Sequence, residues 1–194
     1  RGAMSEDNSL MMPMVHIEAN NNVRNDADVV LILGSRLGET DWWGKAPYWN
    51  ANQKVIQVDL EPSILGANKP AELTIQSDIK AFLQQLLLAL AIDVAPPVDR
   101  NRQDNIEKHL KTKREHRKKL DEHLADKARP MNPAQVPVLA QKVFPQNTPL
   151  VIDGGNTAIW TNFYYKVNAE MPLLSTFKFG MLGAGVGQAL GADR

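Results

Sequence analysis

The sequence predicts an α/β protein with a doubly wound parallel-sheet domain, a charged helical linker and the start of a second α/β domain. Three observations support this prediction. Short β-branched runs alternate with amphipathic helical segments over residues 29–91, as in a parallel sheet covered by helices. Residues 99–129 are dense in charge and have helical character. A further apolar run at 150–152 leads into a glycine turn, which is typical of a strand that ends at a ligand site.

Composition excludes several classes of function. The 22 Lys and Arg residues balance the 22 Asp and Glu residues, so charge favours neither a nucleic acid nor an anionic membrane as partner. The chain has no cysteine, which excludes disulfides, thiolate metal sites and a cysteine nucleophile. No apolar run approaches the roughly 18 residues of a membrane span, and the N-terminus has no signal-peptide core. We therefore expect a soluble, cytoplasmic protein whose N-terminus, without an initiator Met, is trimmed or internal.

Residues 1–95 are predicted to form the first domain. Its beginning is polar and turn-rich, and the three asparagines at 20–22 indicate a loop or a helix end. Strands are expected at three short apolar runs, 29–33, 54–59 and 73–75. Asp78 is a good N-cap for a helix over 79–91, where leucines recur at helical spacing.

The turn after the first predicted strand is a candidate nucleotide site. Gly34, Ser35 and Arg36 lie at the edge where parallel α/β sheets bind nucleotides. Asp59 ends the next strand and could hydrogen-bond a ribose hydroxyl, although a solvated strand-end carboxylate explains it as well. The turn lacks the Gly-x-Gly-x-x-Gly pattern of dinucleotide sites.

Residues 96–130 are predicted to be the linker, which begins with a Pro-Pro pair that ends the preceding helix. Its basic stretch, 111–119, is flanked by acidic residues and contains no aromatic side chain, so a solvated helix face explains it better than nucleic-acid binding. His109, His116 and His123 recur every seven residues and would lie roughly 10 Å apart, too far to share one metal ion. We expect them to be surface residues.

Residues 131–194 are predicted to begin a second α/β domain. Its strand at 150–152 is followed by the turn Asp-Gly-Gly-Asn-Thr at 153–157. Adjacent glycines let a backbone approach a ligand closely, while Asn156 or Thr157 can cap the helix that follows. A helix N-terminus in this place suits an anion, and phosphate is the usual one.

A second glycine cluster lies about two dozen residues further on. Residues 179–187 have the sequence Phe-Gly-Met-Leu-Gly-Ala-Gly-Val-Gly and lead into a small-residue helix that could pack closely against a sheet. Taken alone, the first cluster is explained as a tight turn and the second as a glycine-rich helix that packs closely on its neighbours. In this order and spacing, together they resemble the start of the diphosphate-binding domain of thiamine diphosphate enzymes, in the acetolactate synthase-like branch.

The resemblance implies a role for each cluster. In that family the first turn contacts the cofactor's diphosphate, and the second segment runs under its aminopyrimidine. A bulky apolar side chain, at the position of Leu182 here, holds the cofactor in its bent shape. By this resemblance the cofactor-binding residues are Gly154, Gly155, Asn156, Thr157, Gly180, Met181, Leu182, Gly183 and Gly185.

The same resemblance covers nearly the whole chain. The segments ADVVLILGSRL, KVIQVDLEP and IQSDIKAFLQQLL look like the central domain of acetolactate synthase-like enzymes. Some members hold FAD or ADP there and many hold nothing. FAD-binding members follow the matching Gly-x-Arg turn with acidic and small residues, whereas this chain has Trp42 and Trp43, which could stack on a flavin or fill its space. We interpret this site as empty or structural, with FAD as the alternative.

The resemblance also implies the cofactors and the reaction. A full-length protein of this kind uses thiamine diphosphate and Mg²⁺ to decarboxylate or ligate a small-molecule 2-keto acid, and is a homo-oligomer. Family members take an activating glutamate from an N-terminal domain and metal ligands from a Gly-Asp-Gly motif, and neither occurs in these 194 residues. We therefore assign no catalytic residue and no metal ligand, and expect the fragment alone to be inactive. An FAD- or ADP-binding protein and a non-catalytic subunit are the alternatives.

Overall fold

The computed structural model describes most of the chain. The described residues are 2–92, 99–125, 127, 129–168, 173–176 and 180–192. Three features used in the sequence analysis lie outside them: the boundary at residue 95, the Pro-Pro pair after it, and Phe179. The chain divides into two compact units, Asn21–His109 and a second unit made of Arg1–Asn20 with Leu110–Arg194. The domain limits 1–95, 96–130 and 131–194 stay predictions.

The described residues contain six α-helices. They are α1 Ile17–Asp26, α2 Ile79–Ile92, α3 Arg100–Leu124, α4 Gln135–Val143, α5 Gly155–Tyr164 and α6 Ala184–Ala192. Helix α2 confirms the leucine-rich helix that was expected, and α3 confirms that the charged region is helical.

Helix α1 was not expected, because asparagine has a weak helix propensity and three asparagines occur in a row. In the structure these residues lie inside the helix. The side-chain Nδ2 of Asn20 donates hydrogen bonds to the backbone carbonyl oxygens of Pro13 and His16, at 2.9 and 3.0 Å. Such contacts satisfy the amide group within the fold, so the prediction of a loop or helix end at 20–22 was wrong.

A three-stranded parallel sheet forms the framework of the Asn21–His109 unit. Its strands, in the order β1-β2-β3, are β1 Val29–Leu33, β2 Lys54–Asp59 and β3 Leu73–Gln76. In register, Val30 lies opposite Val55, and Val58 lies opposite Ile75. The predicted strands and their parallel arrangement are confirmed.

The core of this unit joins the sheet to the loop that follows β1. Ile32 of β1 and Val55 of β2 pack with Leu37 and Trp49, and each of the four is at most 5% exposed. Burying these large apolar side chains is the main favourable contribution to folding here. The loop after β1 is therefore held by the same core that holds the strands.

The other unit contains a two-stranded parallel sheet. Strands β4 (Leu150–Ile152) and β5 (Leu173–Ser175) pair with Ile152 opposite Ser175. Strand β4 agrees with the predicted strand, whereas β5 was not predicted. Its three residues are too few to give a recognisable periodic pattern.

Two of the linker histidines are not surface residues. His109 is buried, with its Nε2 atom 3.3 Å from the Oδ2 atom of Asp26. His116 is half-buried, and its Nδ1 atom lies 2.9 Å from Nδ1 of His16. Only His123 of the three is exposed. The surface prediction was wrong for these two residues, because His109 packs against Asp26 and His116 against His16, each within its own unit.

Among the described helices, none combines the length and the apolar character that a membrane crossing requires.

Candidate functional site

The first glycine turn joins β4 to α5. Asp153 follows β4 directly, and Gly154 is the N-cap residue of α5 with an extended backbone. As a glycine, Gly154 has no side chain that could cap the helix. The prediction that Asn156 or Thr157 caps α5 was wrong, because the helix begins at Gly155 and both residues lie inside its first turn. The N–H groups of a first turn have no partner within the helix.

The second glycine segment, residues 180–185, approaches this turn closely. A Cβ atom at position 154 would lie 2.4 Å from the carbonyl oxygen of Met181. Gly155 has a φ angle of +66°, and a Cβ atom there would lie 2.8 Å from Cδ2 of Leu182. Only glycine fits at position 154, and a larger residue at 155 would be strained. The structure thus brings together the two clusters that the sequence analysis grouped.

The side chain of Asp153 links the two clusters. Its Oδ2 atom accepts a hydrogen bond from the backbone N–H of Gly183 at 2.9 Å, and Oδ1 accepts one from Gly185 at 3.0 Å. The backbone N–H groups of Gly183, Gly185 and Gly154, in that order, lower the pKa of the Asp153 carboxyl below its usual value, because they stabilise its charged form. At neutral pH a carboxylate therefore lies at the N-terminus of α6.

Sequence reasoning missed this role of Asp153. The hydrogen bonds connect residues about 30 positions apart, so no local pattern contains them. The available signal was an aspartate directly after a buried strand, together with a downstream Gly-x-Gly pair at a helix start. An acidic side chain is stabilising in such a place because it complements the helix dipole.

The second segment also exposes two large apolar side chains. Met181 is 56% exposed and Leu182 is 76% exposed. They lie beside the turn in which α5 begins without a side-chain cap. This arrangement can hold a molecule that has an anionic part for the helix N-terminus and an apolar ring for the two side chains.

The described residues contain no group of three or more His, Asp or Glu side chains that could hold a metal ion. The chain has no cysteine to add to such a group. No residue of the described part is therefore assigned as a metal ligand.

The candidate nucleotide turn lies at the carboxyl edge of the other sheet. Gly34, with a φ angle of +60°, donates its N–H to the carbonyl oxygen of Val58 at 2.9 Å. The Oγ atom of Ser35 accepts the N–H of Leu37 at 3.2 Å. Gly34 and Ser35 therefore both make hydrogen bonds within the protein.

The other two residues of this candidate site are Arg36 and Asp59. Arg36 is exposed, and Asp59 accepts the backbone N–H of Glu61 through Oδ1 at 3.0 Å. The hydrogen bond to Glu61 in the turn after β2 explains the Asp59 carboxylate without a bound ribose. These contacts favour the structural interpretation of the turn over the nucleotide one.

The indoles near this turn have different environments. Trp42 stacks on Tyr48, with 3.9 Å between ring centroids and 14° between planes. Trp49 is buried and donates its indole N–H to the carbonyl oxygen of Asp41 at 2.8 Å. Trp43 is 46% exposed. Trp49 is thus a core residue, and Trp42 already has an aromatic partner.

Comparison with known proteins relates the chain to one group of enzymes. Residues 1–86 match the family model described as the central domain of thiamine pyrophosphate enzymes. A probable acetolactate synthase large subunit of Methanococcus aeolicus is 23% identical, over 99% of this chain and 33% of that protein. Oxalyl-CoA decarboxylase of Escherichia coli (strain K12) is 28% identical, over 87% of this chain and 29% of that protein.

A third relative, 2-hydroxyacyl-CoA lyase of Saccharomyces cerevisiae, is 30% identical over 84% of this chain and 30% of that protein. The chain therefore spans about a third of the length of the curated relatives that it matches.

Proposed function

This chain belongs to the thiamine diphosphate enzyme family, in its acetolactate synthase-like branch, and from that premise we propose that it is part of an enzyme that decarboxylates or ligates 2-keto acids. Its cofactors would be thiamine diphosphate and Mg²⁺. In this proposal the two glycine clusters of the second unit hold thiamine diphosphate. The substrate is a small-molecule 2-keto acid.

The observation that carries the proposal is the contact between the two clusters. The turn at Gly154 lies against the backbone of Met181, so that the uncapped N-terminus of α5 and the exposed side chain of Leu182 are neighbours. Thiamine diphosphate has a diphosphate at one end and aromatic rings at the other. Each part therefore has a suitable surface, and the two surfaces adjoin each other in the fold.

The electrostatics distinguish the two helix N-termini at the site. The N-terminus of α6 is already occupied by the carboxylate of Asp153, which would repel a phosphate group. At α5, Asp153 precedes the N-cap residue, but the oxygen atoms of its carboxylate accept the N–H groups of Gly183 and Gly185 at the start of α6. The N–H groups of residues 155–157 form the first turn of α5, and such groups attract anions together with the helix dipole. We therefore assign the diphosphate to the first turn of helix α5, where the backbone N–H groups of Gly155, Asn156 and Thr157 are the donors.

The ring part of the cofactor is assigned to residues 180–185. Met181 and Leu182 offer apolar contact, and the glycines at 180, 183 and 185 keep the backbone free of side chains. When bound, thiamine diphosphate supplies a carbon nucleophile for the keto carbonyl and an electron sink for the carbon dioxide that leaves. The residues of this chain bind and orient it; none is assigned a proton-transfer role.

Several further parts of the proposal rest on the family resemblance alone. Mg²⁺ would neutralise the diphosphate, and no ligand for it is assigned among the described residues. The 194 residues alone are proposed to be inactive, because they contain no Gly-Asp-Gly motif. The full-length protein is proposed to be a cytoplasmic homo-oligomer without nucleic-acid or membrane partners.

The proposal is tested with the protein as its own gene encodes it. Carbon dioxide release from a panel of 2-keto acids is measured with and without thiamine diphosphate and Mg²⁺. Release that requires both additions is the expected result. If no 2-keto acid is consumed, and FAD or ADP binds while thiamine diphosphate does not, the nucleotide-binding alternative replaces this proposal.

A further inference from the structure

We propose that Asp153 is a positioning residue that holds segment 180–185 against the first glycine turn and so sets the distance between the diphosphate surface and the ring surface. This inference rests on the proposed function, since the two surfaces are defined by the cofactor assigned to them. It adds a role for a residue that touches neither the diphosphate nor the rings in that assignment.

The carboxylate is well placed for this task because both of its oxygen atoms are used. Oδ2 accepts the N–H of Gly183 at 2.9 Å and Oδ1 accepts that of Gly185 at 3.0 Å. Two hydrogen bonds to one planar group fix orientation as well as distance, and bonds to a charged acceptor are the stronger kind. Asp153 itself directly follows β4, where Ile152 pairs with Ser175 of β5. The anchor is therefore a residue at the end of a sheet.

Apart from Asp153, the described contacts of the segment include the packing of the Met181 backbone on Gly154 and a hydrogen bond from the Gly180 N–H to the carbonyl oxygen of Thr176 at 3.2 Å. Helix α6 has no buried residue, and Met181 and Leu182 are mostly exposed, so little apolar burial holds it in place. Gly180 and Gly183 have φ angles of +58° and +88°, and glycine loses more conformational freedom on ordering than any other residue. Since little apolar burial orders this segment, the two hydrogen bonds that tie it to Asp153 at the end of β4 contribute strongly to its position.

The two effects of the carboxylate support each other. By accepting the N–H groups of Gly183 and Gly185, Asp153 occupies the N-terminus of α6, so the first turn of α5 is the helix start assigned to the diphosphate. By holding Gly183 and Gly185, it keeps Leu182 next to Gly155, where a Cβ atom would lie 2.8 Å from the leucine Cδ2 atom. Loss of the carboxylate should therefore weaken the binding of the rings without weakening the binding of the diphosphate.

The test compares two ligands with the protein as its gene encodes it. Affinities for thiamine diphosphate and for inorganic diphosphate are measured by calorimetry in Mg²⁺, with Asp153→Asn as the variant. In this variant the amide NH₂ of the asparagine replaces one carboxylate oxygen and faces a backbone N–H, so one of the two hydrogen bonds cannot form. We expect thiamine diphosphate to bind about tenfold more weakly, the order expected for losing a hydrogen bond to a charged group. Inorganic diphosphate should bind no more weakly than it does to the wild type, because the variant removes a negative charge near the anion site.

Hydrogen exchange of the amides of Gly183 and Gly185, without cofactor, gives a second readout. Both should exchange faster in Asp153→Asn, because the segment opens more easily. The matched control is Asp59→Asn, since Asp59 also ends a strand and accepts one backbone N–H, from Glu61 at 3.0 Å. That variant should leave both affinities and the exchange of these two amides unchanged.

Each outcome is decisive. Equal losses for both ligands, or no loss for either, would contradict the positioning role. If Asp153→Asn does not fold, Gly185→Ala takes its place, because the added methyl group would lie 3.0 Å from Cβ of Asp153 and push α6 away from the turn. Unchanged thiamine diphosphate affinity in that variant would also contradict the positioning role. If the wild type binds no thiamine diphosphate, the proposed function fails, and the exchange rates alone then decide whether Asp153 holds the segment.

Discussion

The carbonyl oxygen of Met181 lies 2.4 Å from the position that a Cβ atom of Gly154 would occupy. No residue other than glycine can stand at position 154 while the two segments keep this separation. Two stretches that are far apart in the sequence thus contact each other through their backbones. The candidate site depends on this backbone contact together with the hydrogen bonds of Asp153.

Substitution of Gly154 by alanine should separate the two segments. The methyl group overlaps backbone atoms, which cannot move as a side chain can, so we expect a destabilisation of about 1–3 kcal/mol, typical of overpacking. Thiamine diphosphate binding should be lost with it. Urea unfolding and calorimetric titration measure both effects. The control is Gly187→Ala in α6, where an added Cβ atom meets nothing within 4 Å; an equal effect there would contradict the contact.

Leu182 should contribute to cofactor affinity, because it is 76% exposed in the structure and would become buried under the rings. Leu182→Ala is expected to weaken thiamine diphosphate binding by about tenfold, the order of a buried leucine side chain. Leu190 of α6, which is 70% exposed, provides the matched variant Leu190→Ala. An equal loss in both variants would show that Leu182 has no specific role.

Acidification should destabilise the protein through His16. Burial first, and then the nearby charges of His116, Lys113 and Arg117, lower the pKa of His16 from 6.5 to about 4, while Glu6 opposes them. Since the unfolded chain binds the proton more readily, this contribution to stability is complete above pH 6.5 and is lost as the pH falls from 6.5 towards 4. We expect a loss on the order of 2 kcal/mol in the free energy of unfolding.

The measurement is urea unfolding at several pH values between 7.5 and 4.5. The variant His16→Gln should have a flatter pH dependence than the wild type over this window. His123→Gln is the control, because His123 is exposed, and it should follow the wild-type curve. A wild-type slope that persists in His16→Gln would assign the effect to another group.

Trp49 should stabilise its unit through a hydrogen bond and through cation–π contacts. Its indole N–H donates to the carbonyl oxygen of Asp41, and the guanidinium carbon of Arg24 lies 4.9 Å from the ring centroid. Trp49→Phe keeps an aromatic ring but removes the donor, so we expect a loss of about 1–2 kcal/mol. Trp43→Phe, at an exposed position, should change the free energy of unfolding little. Comparable losses in both variants would contradict the assignment of Trp49 to the core.

The framework of the fold could be predicted because its signals are local. Strands β1, β2 and β3 are β-branched or apolar runs, and α2 has leucines at helical spacing. Helix α1 could not be predicted, since Asn20 is satisfied by the carbonyl oxygens of Pro13 and His16, and these contacts exist only in the fold. Strand β5 is too short to carry a pattern.

The candidate site was predicted in part. Grouping the clusters at 153–157 and 180–185 followed from their order, their spacing and a family resemblance. The sequence did not indicate where α5 begins, so Asn156 and Thr157 were given a capping role that their positions inside the first turn exclude. The link through Asp153 was also missed, because it joins residues from two elements. Such contacts are properties of the tertiary structure and have no local signature.

The most direct test of the central claim is amide hydrogen exchange on the protein as its gene encodes it, with and without thiamine diphosphate and Mg²⁺. If the two glycine clusters form one cofactor site, the cofactor should slow exchange in 153–157 and in 180–185 together. FAD and ADP should slow exchange in neither segment. Protection confined to the turn at 34–38, or unchanged exchange in both glycine clusters at saturating thiamine diphosphate, would contradict the account.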